Sequence, residues 1–316
     1  MKKKSGILFG LATGMAAAGV SIWCLGQSLY RRIFKTDEVA ERQATGAAER
    51  EGMIFPAQPV TCQSRDQFTL GGYCRRQEQS HRWAICLHGY RSRPERMGHY
   101  GLAYAERGYS VLLPALRGHG ASEGTYVGMG WHDRLDLLCW IRWILEQDPA
   151  AEIVLHGVSM GAATVLLAAG ESLPQNVRAV VADCGYTTAR AELRYVAAHQ
   201  ASPLLVPAVP LLSAVTRHRA KYRLGDAAPL EAVKKTNLPI LFIHGEKDDF
   251  VPPEMARQLY EAASGPRELY LVQEAGHAES ARIAPKQYWA AVDGFLKRRW
   301  EDRTIAENKQ NKAMEE

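Results

Sequence analysis

Two glycines bracket a serine in Gly157-Val158-Ser159-Met160-Gly161, between the short apolar run Ile153-Val154-Leu155-His156 and a small-residue helical pattern, Ala162 to Ala169. A strand that turns into a helix across so few residues presses together the neighbours two positions either side of the turn. Side chains there would clash, and glycine also adopts the backbone angles such a turn demands. The pattern predicts a serine hydroxyl at the tip of a strand, with a helix N-terminus behind it that favours negative charge. A pentapeptide of this kind recurs by chance, so its context along the chain decides what it means.

That context is an alternation. Apolar runs at Pro59–Ser64, Gln67–Tyr73, Trp83–Leu87, Ser110–Leu113, Ile153–His156, Val177–Ala182, Ile240–His244 and Leu269–Val272 predict strands. Between and after them, Arg96–Glu106, Trp131–Glu146, Ala162–Ala169 and Tyr288–Arg299 carry helical patterns. Strands alternating with helices imply an α/β fold with a mostly parallel, twisted sheet flanked by helices. Continuous rather than alternating apolar strands fit burial on both faces. With 47% hydrophobic residues, the 316-residue chain can bury a full core. The core is expected over 56–186 and 237–300, with a cap or lid at 187–236 inserted after the sixth strand and a polar tail at 301–316. The inserted stretch is too apolar for a linker, and Pro203, Pro207 and Pro210 break any long helix. Its apolar stripe is either the cap's own core or the lining of an acyl pocket. A second membrane-contacting segment is the alternative.

No charged residue occurs from Ser5 to Tyr30, a run long enough to span a hydrocarbon core as a helix. A secretory signal has a shorter apolar region and a small-x-small cleavage site. Ala16-Ala17-Ala18 mimics such a site, yet the run continues through Val20, Ile22, Trp23 and Leu25, and Trp23 argues against a lipoprotein box at Cys24. We read residues 1–35 as a membrane anchor and 36–55 as a juxtamembrane linker; a cleaved signal and a buried helix are the alternatives. Gly6, Gly10, Gly14 and Ala18 share one helical face, a spacing that lets a second copy dimerise through the stripe, although glycine is also ordinary in such helices. Lys2, Lys3, Lys4, Arg31, Arg32 and Lys35 supply the whole basic excess of the +5 net charge, so nucleic-acid binding has no support. Charge on the two sides of the run is too balanced to orient it. The six cysteines show no CxxC spacing, which excludes a disulfide framework or zinc site. Cys62 and Cys74 do not pair, because a turn at Ser64-Arg65-Asp66 sets Phe68 opposite Cys62. Unpaired thiols lean toward a cytoplasmic face of the cell membrane.

A serine hydroxyl is a poor nucleophile until a base takes its proton, and the base needs an orienting acid. The strand at Ile240–His244 runs into the acidic loop Gly245-Glu246-Lys247-Asp248-Asp249, and the last strand runs into Gly276-His277. Serine, acid and histidine thus follow in that order, each after a strand. Asp248, Asp249 and, after the preceding strand, Asp183 are the candidate acids. His88, His119, His156 and His244 sit beside glycines and read as satisfying backbone hydrogen bonds, while His99 and His132 read as helix-surface or helix-start residues.

From about residue 80 to 298 the chain resembles the α/β-hydrolase family, in its serine-aminopeptidase-like, single-pass bacterial esterase branch. The resemblance rests on Leu87-His88-Gly89-Tyr90, Arg117-Gly118-His119-Gly120-Ala121-Ser122-Glu123-Gly124, the Gly157–Gly161 turn, His244-Gly245-x-x-Asp248-x-x-Val251-Pro252 and Gly276-His277. It implies Ser159 as nucleophile, Asp248 as acid, His277 as base, Gly157 and Gly161 as the elbow glycines, and an oxyanion hole from the Tyr90 and Met160 amides. The Val-Pro offset in similar sequences favours Asp248 over Asp249. It implies no metal and no organic cofactor. Ala115 departs from the family pattern, which has Asp two residues before the loop arginine. The expected reaction is hydrolysis of carboxylic esters, on a small-molecule ester or a short acyl or aminoacyl substrate. Aminopeptidase or amidase action would need a cap carboxylate, for which Glu192 and Glu231 are available. A thioesterase or acyltransferase would use the same groups. A non-catalytic membrane-anchored scaffold is the reading from another class.

Overall fold

The computed structural model describes residues 21–36 and 54–299. Its strands are β1 (Gln58–Gln63), β2 (Thr69–Arg75), β3 (Arg82–Leu87), β4 (Ser110–Pro114), β5 (Glu152–Val158), β6 (Val177–Asp183), β7 (Ile240–Gly245) and β8 (Arg267–Val272). They form one sheet in the order β1-β2-β4-β3-β5-β6-β7-β8. The β1–β2 and β2–β4 pairs are antiparallel, and every pair from β4 to β8 is parallel. This is the mostly parallel, helix-flanked sheet expected from the alternation. Parallel strands need crossovers, and those crossovers cover both faces. Accordingly β7 is buried along its whole length, whereas the edge strand β1 is largely exposed and accommodates Pro59.

The helices are α1 (residues 21–34), α2 (Gly98–Glu106), α3 (Asp133–Gln147), α4 (Met160–Ala169), α5 (Ala189–Val196), α6 (Ala208–Ala220), α7 (Pro253–Ala262) and α8 (residues 285–299). Side chains alternate across a strand, so each strand feeds two cores. Trp83, Ile85, Leu112, Ile153 and Leu155 pack with residues of α1, α3, α4 and α7 on one face. Ala84, Cys86, Val111, Leu113 and Val154 pack on the other with Tyr100 and Tyr104 of α2 and Tyr288, Val292 and Phe295 of α8. All ten residues of α4 are buried, which explains why its sequence is small and apolar all round.

The β1–β2 turn is longer than the sequence reading allowed. Ser64 Oγ accepts from the Phe68 amide at 2.8 Å and donates to Asp66 at 2.8 Å, so the turn extends to Phe68. Leu70, not Phe68, therefore faces Cys62, and Cys74 faces Gln58. All six cysteines are free thiols.

Between β6 and β7 the chain leaves the sheet to form α5, a π-turn at Ala197–Ala201, α6 and three short helical turns. Pro203 opens a short 3-10 turn, Pro207 precedes α6 and Pro210 lies in its first turn, positions where a missing N–H is harmless. Val209, Leu212 and Val215 of α6 join the main core, so the apolar stripe is the insertion's own packing surface.

The N-terminus departs most from the sequence reading. Among the described residues no helix is long and apolar enough to cross a membrane. Residues 1–20, with the Gly6, Gly10 and Gly14 stripe, lie outside the described residues, as do most of the linker and the tail at 301–316. The described end of the apolar run is α1, and it docks on the domain. Gly26 sits against Leu211 and Val215, Trp23 meets His218 edge-on at 5.7 Å, and Gln27 accepts from Arg219 at 2.8 Å. Tyr30 and Phe34 are buried in the main core. Their period-four spacing with Gly26 forms a stripe that packs on protein instead of lipid.

Candidate active site

The turn between β5 and α4 holds Ser159 at φ 56° and ψ −117°, a left-handed conformation that surrounding contacts must enforce. A Cβ on Gly157 would run into the carbonyl of Gly161, and one on Gly161 would run into the carbonyl of Leu87. Those two clashes are the physical content of the glycine spacing. The Ser159 amide is tied to Asp183 O at the end of β6, 2.8 Å away. Met160 begins α4, so its amide has no intrahelical acceptor. Gly89, after β3, lies against Ser159, where an added Cβ would come within 3.3 Å of the serine Cβ.

Three strand-end loops meet here. Ser159 Oγ is 2.9 Å from His277 Nε2, and His277 Nδ1 is 2.8 Å from Asp248 Oδ2. With the ring proton on Nδ1 donated to the carboxylate, Nε2 is left to accept the serine hydroxyl. The other carboxylate oxygen, Asp248 Oδ1, accepts from the amides of Phe250 and Val251 at 3.0 and 2.8 Å. Burial alone would push the Asp248 carboxyl up, but hydrogen bonds from His244 and His277 outweigh it and hold the group at about 2. Asp248 is therefore an anion at neutral pH, and it fixes the imidazole's tautomer and orientation. Asp249 is exposed, and its backbone carbonyl accepts from Gln200 of the insertion at 2.8 Å. Asp183 is fully buried, and burial pushes its carboxyl up to about 6; His277 Nδ1 is already bonded to Asp248 instead.

His88 is bonded through Nδ1 to Gly89 O at 2.8 Å and accepts the Leu116 amide on Nε2 at 3.1 Å. Burial pulls it down to about 3, and it holds the β3 and β4 loops together. His156 lies between the Tyr104 and Tyr288 hydroxyls, at 3.0 Å from each, also pulled down to about 3 by burial. Both are structural. His244 does more than the sequence suggested: its Nε2 donates to Val251 O at 2.8 Å and lies 3.2 Å from Asp248 Oδ2, so it braces the acid from behind. Its position four residues before Asp248 was the available signal. Arg117 clarifies the Ala115 departure. Its guanidinium is held by buried Asp136, at 2.6 Å, and by Asp66, at 2.8 Å, so the loop arginine is neutralised without an acid at 115.

Cys184 Sγ lies with ligand atoms of Asp248 and His277 within 4.8 Å of one another, the one such cluster among the described residues. Burial raises that thiol well above its usual range, so it is protonated and a poor metal ligand. Asp248 and His277 are meanwhile bonded to each other.

A cavity of about 710 Å³ opens onto Ser159 and His277. Met97, Tyr100, Val158 and Phe250 give it apolar walls, while Ser92, Arg96 and His99 add polar ones. Arg96, His99 and Tyr100 fall three and four residues apart on α2 and the turn before it, one face of which meets the cavity. His99 was expected on a helix surface, and the spacing to Tyr100 alone could not distinguish the two placements. No residue of the insertion lines the cavity. Glu192, offered as an ammonium partner, is 3% exposed on α5 with neither carboxylate oxygen hydrogen-bonded, and burial pushes it up to about 8. Glu231 is exposed and pairs with Lys234 at 2.7 Å.

Known proteins resemble the chain in sequence and in fold. The family model described as X-Pro dipeptidyl-peptidase (S15 family) matches residues 26–204, and the serine hydrolase (FSH1) model matches residues 144–278, a span that includes Ser159, Asp248 and His277. The uncharacterized protein YqkD of Bacillus subtilis (strain 168) is 29% identical over 194 residues, covering 61% of this chain and 64% of that protein. The match thus spans less than two thirds of that relative's length. The Pyrococcus furiosus esterase Pf2001 superposes with a TM-score of 0.60 at 24% identity, over 78% of this chain and 93% of that one. An acylaminoacyl peptidase from Pyrococcus horikoshii superposes with a TM-score of 0.60 at 19% identity, over 78% of this chain and 42% of that one. The two structures share the fold.

Proposed function

Because the chain belongs to the α/β-hydrolase superfamily, in the S15 family whose model spans residues 26–204, we propose that it hydrolyses carboxylic esters through an acyl-enzyme on Ser159. The observation that carries the reading is the continuous chain from Ser159 Oγ to His277 Nε2, at 2.9 Å, and from His277 Nδ1 to Asp248, at 2.8 Å. As Oγ attacks the ester carbonyl, its proton passes to Nε2 and the carbonyl electrons move onto oxygen. The amides of Met160 and Tyr90 stabilise that oxyanion, commonly the largest single term in such catalysis. Collapse expels the alcohol, which takes the proton from Nε2. Water, deprotonated by the same nitrogen, then releases the acid and restores the serine. Asp248 stabilises the imidazolium in both halves.

Apolar cavity walls from Met97, Tyr100, Val158 and Phe250 support an uncharged acyl group. Among the described residues no carboxylate lines the cavity, so a free amino terminus would find no counter-charge from them there, which favours the ester over the aminopeptidase reading. Membrane attachment through residues 1–20 is part of the proposal; α1 would then join the anchor directly to the domain. Protease accessibility in intact cells against spheroplasts tests the side of the bilayer.

The decisive experiment is fluorophosphonate labelling of the full chain beside Ser159→Ala. Labelling of the native protein alone is expected; labelling of both, or of neither, removes the serine mechanism. A panel of nitrophenyl esters from acetate to decanoate, run beside aminoacyl anilides, then separates esterase from peptidase. Faster anilide turnover would replace the ester assignment.

A further inference from the structure

We infer that Phe250 selects the alcohol half of the substrate, an ester of an uncharged, apolar alcohol of the benzyl or alkyl kind; this rests on the hydrolase reading above. In the sheet, β3 lies on one side of β5, whereas β7 and β8 lie beyond β6 on the other. The cavity over Ser159 is therefore walled from two directions. Tyr90, Met97 and Tyr100 come from the segment that runs from β3 into α2, and Phe250, His277 and Ala278 come from the loops after β7 and β8. Among the described residues, those last two loops bring no carboxylate, lysine or arginine to the cavity.

Proton transfer tells the two walls apart. When the tetrahedral adduct collapses, the bond from the carbonyl carbon to the alkoxy oxygen breaks and its electron pair stays on that oxygen. The same oxygen takes the proton from His277 Nε2, which requires the two atoms to lie about 3 Å apart. The first carbons of the alcohol are thus beside the imidazole, and the imidazole is the neighbour of Phe250. Their ring centroids are 4.9 Å apart at an interplanar angle of 49°. Phe250 is also pinned. Its amide donates to Asp248 Oδ1 at 3.0 Å, Gln200 holds the Asp249 carbonyl at 2.8 Å, and His244 Nε2 holds the Val251 carbonyl at 2.8 Å. The Phe250 side chain packs against the main core as well. Charged residues of the two loops are engaged with other partners, Lys247 with Glu274 and Glu279 with Arg282. A fixed apolar ring here favours an alkyl or aryl group, and it strips water from a hydroxyl without bonding it. The acyl group falls to Met97, Tyr100 and Val158.

Benzyl butyrate, ethyl butyrate and 1-butyrylglycerol, which share one acyl group and have alcohols of similar acidity, test this on the full chain. The kcat/KM for the benzyl ester is expected to exceed that for 1-butyrylglycerol by about tenfold or more. Phe250→Ala should cut the benzyl value by about tenfold and the glycerol value by less than about threefold. Phe250→Leu, which restores apolar volume, should recover most of the preference. A contact with the alcohol must also spare the second half of the cycle, from which the alcohol has departed. Nitrophenyl dimethylcarbamate loads Ser159 with a carbamoyl group whose slow loss to water still uses His277. In Phe250→Ala, recovery of activity after this loading should stay within about threefold of the native rate. Recovery slowed as much as benzyl ester turnover would reduce Phe250 to a support for His277 and overturn the inference. Equal native rates on the three esters, or equal losses on them in Phe250→Ala, overturn it too and leave the hydrolase standing. Absence of butyrate release from all three removes the hydrolase reading and the alcohol assignment together.

Discussion

The elbow at Gly157–Gly161 and the insertion between β6 and β7 are built to opposite standards. At the elbow, an added methyl on either glycine meets backbone that cannot move, and Ser159 is held in a left-handed conformation with its amide tied to β6. In the insertion, Glu192 is buried with both oxygens unpartnered, a π-turn interrupts the helical run, and Leu204 is 89% exposed. Closely packed backbone leaves one arrangement, which suits a nucleophile that must meet an imidazole within a few tenths of an ångström. Unsatisfied polar groups and exposed apolar side chains mark the opposite condition, a segment whose packing is not at its optimum. Chemistry sits on the closely packed region, and the insertion, which lines no part of the cavity, packs beside it.

The sharpest way to break this contrast is a methyl group in each region. Gly161→Ala should abolish folding or lower stability by more than about 4 kcal/mol, because the new Cβ meets the Leu87 and His88 carbonyls. Gly225→Ala, where the nearest atoms are 3.9 Å away on the flexible Arg190 side chain, should change stability by less than about 1 kcal/mol. Thermal melts of the pair decide it, and comparable losses would erase the distinction.

Asp248→Asn comes next. It should lower kcat by about 10³–10⁴-fold while leaving the melt nearly unchanged, since the amide fits the same space but favours the wrong imidazole tautomer. Retention of a tenth of the activity would move the acid's role to Asp183 or Asp249. The same carboxylate sets an acid limit. Its pKa is held down at about 2 against an ordinary 3.8, so its stabilisation is present above the ordinary value and is lost as pH falls toward 2.

Tyr90→Phe tests whether the elbow's rigidity extends to the loop opposite it. Losing the hydrogen bond to Ile33 O should lower kcat about fivefold with KM little changed, in keeping with roughly 1 kcal/mol for one such bond. An unaltered kcat would mean that the Tyr90 amide is positioned without α1.

Smallest, and confined to the insertion, is Glu192→Gln. Burial raises the Glu192 carboxyl to about 8 from 4.5. Between those values the unfolded chain releases the proton while the folded chain keeps it, so stability falls as pH rises through the window. The variant removes that slope. Its melting temperature should exceed the native value by a few degrees at pH 8, and the gap should shrink toward pH 4.5. A gap independent of pH would show that Glu192 is not kept protonated by burial.

Much of this molecule is legible in the residues because the relevant forces are short-range. The clash between Gly157 and Gly161, the breaks at Pro203, Pro207 and Pro210, and the apolar runs of β5 and β7 follow from local sterics and periodicity. The chain order of Ser159, Asp248 and His277, each after a strand, is local as well. The β1–β2 register was misread because one side-chain hydrogen bond, Phe68 N to Ser64 Oγ, lengthened the turn. Arg96 and His99 escaped notice as cavity residues, since nothing within α2 says which of its faces looks toward Ser159.

By itself, then, the sequence determined the alternating layers, the tight serine turn and the set of side chains able to move a proton. Tertiary structure alone decided that His244 braces Asp248, that the apolar insertion packs on the core without entering the cavity, and that α1 docks on α6 and the Tyr90 loop. Those outcomes depend on which distant segments come to lie side by side, and on how much water each group loses there. Both quantities are sums over neighbours from many parts of the chain, so no window of sequence contains them.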